Sequence, residues 1–332
     1  MELLSRYIHG GSIGKTGLLL SLFSSSFPFR KNAPNIINKY YKTYKQEKIL
    51  NNEFKIITID AYNGNNREAG QMIEYLNKYL PGDLFGVYLH GSLATNEEIF
   101  YSDFDALVIL KQEIFKRPGR LSRIAEHLFK AEKFMLAKDP LQHHGWFVIT
   151  EDDLKNYPEY YFPHELFRYS KCLLGEKEIS IHLNENGYMA DLQESFHKLC
   201  KSVVKKLESK TFLKNNYVFK NLLSEFMLLP AVYIQSKTGQ GIFKKFSFEK
   251  LKKELGEGYR IMDEISEIRV SWKYQPSSFY LSLIRKKNVL CRKIAAKFFS
   301  GNVERELLEK FNNEMVRQML VFVNELKSRI ER

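Results

Sequence analysis

Leu84-Phe85-Gly86-Val87-Tyr88-Leu89-His90-Gly91-Ser92, followed by Ser102-Asp103-Phe104-Asp105-Ala106-Leu107-Val108-Ile109-Leu110, decides how the rest of this chain reads. Residues 84–90 form an apolar, aromatic run closed by a Gly-Ser turn, which predicts a buried strand. Residues 104–110 predict a second. Side chains two apart on a strand share a face, so Asp103 and Asp105 project together, with Phe104 pointing the other way into the core. Two strand rises put them roughly 6–7 Å apart.

A carboxylate pair at that spacing is suited to divalent cations, and Mg²⁺ favours one or two carboxylates plus substrate phosphates. Without a cation the pair is a liability: two like charges about 6 Å apart at an effective dielectric near 20 repel by roughly 3 kcal/mol. On that arithmetic Asp105→Asn is expected to leave the cation-free protein unchanged in stability or slightly more stable. Gly91 offers a backbone that a phosphate can approach closely, and Ser92 adds a hydroxyl and an N–H donor.

The order apolar-Gly-Ser, about ten residues, then Asp-apolar-Asp-apolar resembles the DNA polymerase β-like nucleotidyltransferase superfamily, which includes the aminoglycoside and minimal nucleotidyltransferases. The resemblance covers Leu84 to Leu110, and the helix expected over Arg67–Leu80 before the first strand agrees with it. It implies that Gly91 and Ser92 grip a triphosphate. It also implies that Asp103 and Asp105 hold Mg²⁺, or Mn²⁺, for attack on the α-phosphate.

Members of that family usually carry a third acid on a later strand. The candidate strand here, His143-His144-Gly145-Trp146-Phe147-Val148-Ile149, contains none. Imidazole binds metals and titrates near neutral pH. His144 or His143 is therefore the candidate base or ligand, with Asp139 in the preceding loop a further possibility. As a strand, the segment would put His144, Trp146 and Val148 on one face and His143, Gly145, Phe147 and Ile149 on the other.

The chain has 332 residues, 44% of them apolar and 14% aromatic, enough for two packed domains and incompatible with a disordered chain. Cys172, Cys200 and Cys291 are far apart, so neither a disulfide framework nor a zinc site is expected, and a reducing cytoplasm fits. Net charge is +12, and the first fifty residues hold eight Lys/Arg against two Glu. That basic lead is expected to be a solvated extension, with a polyanion or membrane-surface contact as the other reading. Gly10-Gly11-Ser12-Ile13-Gly14-Lys15-Thr16 looks like a phosphate loop, but His9 stands where the motif needs its first glycine and no strand precedes it. The apolar run over residues 17–23 is too short to span a bilayer.

The expected organisation is α+β: a basic extension over 1–50, a nucleotidyltransferase-like mixed-sheet α/β domain over 51–180, and a helical bundle domain over 181–332. Helices are expected at 191–207, 213–236, 248–255, 261–270, 280–299 and 303–330. The last carries an apolar stripe of Leu307, Leu308, Phe311, Met315, Met319, Phe322, Val323 and Leu326. In family members, Lys and Ser of the helical domain often contact the triphosphate. By that resemblance Lys237, Lys244, Lys245 and Ser247, in the Gly/Lys/Ser-rich segment 235–247, are candidate phosphate contacts. Ser247 is expected to cap the helix that follows.

The function implied is an enzyme that moves a nucleoside monophosphate from a triphosphate such as ATP to an acceptor hydroxyl, releasing pyrophosphate. A small-molecule acceptor is expected, with nucleic acid or protein kept open and no membrane span. The missing third acid keeps a second reading: a nucleotide-binding, regulatory protein of the same fold without turnover. A glycosyltransferase using Asp103-Phe104-Asp105 would leave the Gly-Ser turn without a role.

Overall fold

The computed structural model describes residues 52–331 apart from 101, 117, 158, 160, 185–188 and 286–288. The basic lead, the phosphate-loop look-alike at residues 10–16 and the apolar run at 17–23 lie outside the described residues. The chain divides into two compact units, Met1–Asn186 with Leu283–Lys293, and Gly187–Ser282 with Ile294–Arg332.

The first unit is built on a four-stranded mixed sheet in the order β4-β3-β2-β5. The strands are β2 (Leu84–His90), β3 (Asp105–Leu110), β4 (Phe147–Thr150) and β5 (Lys171–Gly175). β2 is antiparallel to β3 and to β5, while β3 and β4 run parallel. A two-stranded antiparallel sheet joins β1 (Asn52–Thr58) to β6 (Glu178–Asn184). The β5–β6 turn depends on Gly175, at φ 91° with the Phe85 carbonyl 2.3 Å from where a Cβ would sit.

Each face of the sheet has its own core. Phe104, Ala106, Val108 and Leu110 pack with Met72 and Leu76 of α1 (Arg67–Tyr79) and with Ile124 and Met135 of α2 (Pro118–Lys138). Leu107 and Ile109 pack on the other side with Tyr88, Ile149, Tyr157, Phe162 and Phe167. Asp105 has the parity of Leu107 and Ile109, so it extends the second face beyond its apolar end, while Phe104 is fully buried in the first.

The second unit is helical. α3 (Met189–Glu208) and α4 (Asn216–Thr238) are linked by Glu225, which accepts from Lys206 Nζ at 2.6 Å and Ser202 Oγ at 2.8 Å. Asn215 caps α4 by accepting from the Val218 N–H, and Gly239 closes it at φ 74°. Then follow α5 (Lys244–Leu255), α6 (Arg260–Ser271), α7 (Ser278–Ile284), α8 (Val289–Phe299), α9 (Arg305–Lys310) and α10 (Asn313–Ile330), with the end of α7 from Leu283 and the start of α8 to Lys293 belonging to the first unit. Phe219 lies edge-on to Trp272 and Phe311, at centroid separations of 5.2 and 5.1 Å, and Phe226 packs on Phe322.

Two expected long helices are each two. The 303–330 stripe breaks at Phe311-Asn312, where the Asn312 side chain accepts from the Met315 N–H and starts α10 afresh. The apolar period continues across the break and so conceals it. The expected 280–299 helix is likewise divided, into α7 and α8. No helix among the described residues is long and apolar enough to cross a membrane.

Candidate active site

Three strands bring their ends to one edge of the sheet: His90 at the end of β2, Asp105 opposite it at the start of β3, and Phe147 at the start of parallel β4. The Gly-Ser turn follows directly as a single 3-10 turn over Gly91–Leu93. Its carbonyls are bonded inward, Gly91 accepting from Ala94 N–H at 3.2 Å and Ser92 from Glu97 N–H at 2.8 Å. Gly91 has φ 71°, and a Cβ there would lie 2.6 Å from Asp105 Oδ2. The positive φ favours glycine, and a side chain there would also have to displace the Asp105 carboxylate.

The segment expected to be a strand from His143 is one only from Phe147. His143 to Trp146 are held by side chains instead of by a ladder. Gln142 clamps the start of β3: the Phe104 N–H donates to Gln142 Oε1 at 2.9 Å, and Gln142 Nε2 donates to the Phe104 carbonyl at 3.1 Å. Trp146 Nε1 donates to the Leu128 carbonyl of α2 at 2.8 Å. Strand alternation therefore does not separate the two histidines, and both reach the acids. His143 Nδ1 lies 3.5 Å from Asp103 Oδ1, and His144 Nε2 lies 3.0 Å from Asp105 Oδ1. Asp139 is fully buried and accepts from the Leu141 N–H at 3.0 Å in the turn after α2.

These contacts reverse the expectation of an unrelieved acid pair. Burial disfavours charge on His144. The Asp105 carboxylate, by its charge and its hydrogen bond, and Asp103 behind it outweigh that, and the imidazole is raised to about 9. Burial likewise opposes the charge on Asp105, but His144 foremost, with His90, holds its carboxyl below the usual range. In the cation-free protein His144 is thus held protonated at neutral pH, with its charge set against Asp105 and the charge of Asp103 adding to it. In that form it can donate a proton but cannot act as the base. His90 differs: burial pushes it down to about 4 despite Asp105, so it is neutral, set edge-on to Phe147 and Phe162.

Asp103, His143 and His144 can each present one ligand atom with all three within 4.8 Å of one another, the only such group found among the described residues. The donors fit a divalent cation.

The candidate phosphate contacts of the second unit are engaged within it. Lys237, on the last turn of α4, donates to Glu254 Oε1 at 2.9 Å, and Glu254 also accepts from the Tyr233 hydroxyl at 2.6 Å. Lys244 and Lys245 open α5, with Lys244 Nζ 5.9 Å from the Phe248 ring centre. Ser247 does not cap that helix. Its N-cap is Phe243, and the buried Ser247 hydroxyl donates to the Lys244 carbonyl at 2.6 Å. The Gly/Lys/Ser-rich segment 235–247 is mostly helix, leaving only residues 239–243 between α4 and α5.

Sequence reasoning missed His90 and Gln142. His90 was readable as a titratable residue ending a strand at the Gly-Ser turn, whereas nothing in the sequence marks Gln142.

No protein-family model matches the chain, and neither does any curated protein. Among solved structures, spectinomycin adenyltransferase AAD(9) from Enterococcus faecialis, determined with ATP and spectinomycin, aligns with 81% of this chain and all of its own. The identity is 13% and the TM-score 0.36. The likeness is loose, and the site's own residues carry the functional reading.

Proposed function

We propose that the chain is a metal-dependent nucleotidyltransferase that moves a nucleoside monophosphate from a triphosphate to an acceptor hydroxyl and releases pyrophosphate. The observation that carries this is the packing of Gly91, at positive φ in the Gly-Ser turn, against the Asp105 carboxylate. In this reading the backbone N–H groups of the turn would meet a phosphate beside a carboxylate able to face a cation.

In this reading Asp103 and Asp105 hold the cation site, and Gly91 and Ser92 offer backbone and hydroxyl donors to the phosphates. A divalent cation bound there supplies charge neutralisation to the phosphate oxygens and lowers the barrier to displacement at phosphorus. His143 and His144 orient the acceptor or take its proton. His144 would serve as base only in its unprotonated form, which a cation held by the acids would favour by drawing the Asp105 charge away from the imidazole. His90 stays neutral and holds the aromatic wall behind the acids. Lys237, Lys244, Lys245 and Ser247 are proposed as phosphate contacts of the helical unit. For Lys237 this requires exchanging Glu254 for phosphate, and for Ser247 it requires releasing the Lys244 carbonyl. The acceptor is proposed to be a small molecule, and the setting cytoplasmic.

The contact between Asp105 and His144 favours one second reading, a protein that binds nucleotide and does not turn it over. Pyrophosphate release separates the two. Labelled triphosphates incubated with protein and a divalent cation should yield pyrophosphate, and Asp105→Asn should abolish it. Binding of triphosphate without release would support the second reading.

A further inference from the structure

Mg²⁺ takes oxygen ligands in a near-ideal octahedron, whereas imidazole nitrogen suits first-row transition ions. The cluster at the head of β3 and β4 offers two imidazoles and one carboxylate. It therefore matches Mg²⁺ poorly. We infer that Asp103, His143 and His144 form a site for a first-row transition-metal dication, taken in preference to Mg²⁺. The inference concerns the same pocket read above as a nucleotidyl-transfer site, but it depends on the donor set and not on the transfer.

Three observations support it. Asp103 Oδ1 and His143 Nδ1 are 3.5 Å apart, close to the roughly 3 Å between neighbouring ligands that each lie about 2.1 Å from one ion. A ligating imidazole ordinarily keeps its other nitrogen on a carboxylate or carbonyl, which fixes the ring. His144 has both partners in place, Asp105 Oδ1 at 3.0 Å and the Gly145 carbonyl at 3.3 Å, so whichever nitrogen turns to the ion, the other is held. The histidines are also pre-set by groups outside the cluster. Gln142 is pinned to the Phe104 backbone, Trp146 to Leu128, and the two rings meet edge to face at 4.7 Å. Ordering that loop is therefore largely complete before an ion arrives.

The test uses the full chain stripped of metal, without nucleotide. Mn²⁺ and Co²⁺ binding is followed by calorimetry, with Mg²⁺ in parallel, on wild type, His143→Ala and His144→Ala. Both transition ions should bind at least tenfold more tightly than Mg²⁺. Each substitution should weaken Mn²⁺ and Co²⁺ by tenfold or more and so remove most of their advantage over Mg²⁺. Should a variant not fold, pulsed electron paramagnetic resonance of Mn²⁺ on the wild type gives an independent reading, with nitrogen couplings from imidazole expected. Equal affinities for Mn²⁺ and Mg²⁺, or Mn²⁺ without nitrogen coupling, would overturn the inference. If triphosphate with Mg²⁺ were still bound and converted, the transfer reading would stand while the metal choice fell. If neither cation nor triphosphate bound, both would fall.

Discussion

The two places where ligand-binding charge was expected answer it in opposite ways. At the head of β3, two carboxylates are met by two imidazoles, Asp103 by His143 and Asp105 by His144. In the helical unit, Lys237 is met by Glu254, which also faces Arg329 at 3.4 Å. An imidazole can give up its proton and turn a nitrogen to a metal, so the first arrangement is one a cation can replace. Lys237, Glu254 and Arg329 are permanent ions near neutral pH, already neutralised within the unit. The first has the chemistry of a site awaiting its ligand. The second also serves as structure, and it becomes a ligand contact only at the expense of an existing pair.

The contrast can be broken most forcefully at Asp105. Asp105→Asn should reduce pyrophosphate release by about a thousandfold, equivalent to roughly 4 kcal/mol of barrier. It should also destabilise the cation-free protein, contrary to expectation from acid repulsion alone, because it strands the partner of a protonated imidazole. An unchanged rate would remove Asp105 from the site.

Acidity sharpens it next. His144 is raised from 6.5 to about 9, so the stability it contributes is fully present below about 6.5 and is lost as pH rises through 9. At ~1.4 kcal/mol per pH unit that rise is worth roughly 3 kcal/mol at most. Denaturation midpoints of the metal-free protein should therefore fall between pH 7 and 10, and His144→Gln should flatten the curve. Asp105, held low, acts in the other direction, losing its contribution as pH drops into the acid range. A wild-type curve parallel to that of His144→Gln would contradict the pairing.

Gln142→Ala comes third. It leaves the Phe104 N–H and carbonyl without the clamp, at a cost of about 2 kcal/mol for two buried hydrogen bonds. If the clamp positions the histidines, Mn²⁺ affinity should fall as well. Lost stability with unchanged Mn²⁺ affinity would make Gln142 purely structural.

The smallest effect belongs to Lys237→Ala. An ion pair this exposed contributes less than about 1 kcal/mol, so chemical denaturation should barely register its loss. If Lys237 is a phosphate contact, KM for the triphosphate should rise several-fold with kcat little changed. A KM equal to wild type would leave it a structural partner of Glu254.

The sequence discloses these regions unevenly. β2 and β3 are legible nearly to the residue because an apolar run closed by Gly91-Ser92 and a second apolar run opened by Asp105 each carry their own stop and start. β5 and β6, which pair with different partners, are harder to read: Ile179, Ile181 and Leu183 of β6 alternate and are buried, but β5 has only five residues and begins with Lys171. Gly91, Asp103 and Asp105 stand out in the sequence because a Gly-Ser turn on one apolar strand precedes, by about ten residues, two acids that share a face at the start of the next. His143 and His144 were found for a different geometry from the one they adopt. What sets their real position is the amide of Gln142 and the indole of Trp146, side-chain bonds that leave no periodic trace.

The central claim is best tested by calorimetric titration of the full chain with each of the four ribonucleoside triphosphates, with and without a divalent cation, in wild type and Asp105→Asn. The account predicts tight binding of at least one triphosphate by the wild type with cation present, and its loss in the variant or under chelator. Triphosphate binding that ignores both the cation and Asp105 would contradict it.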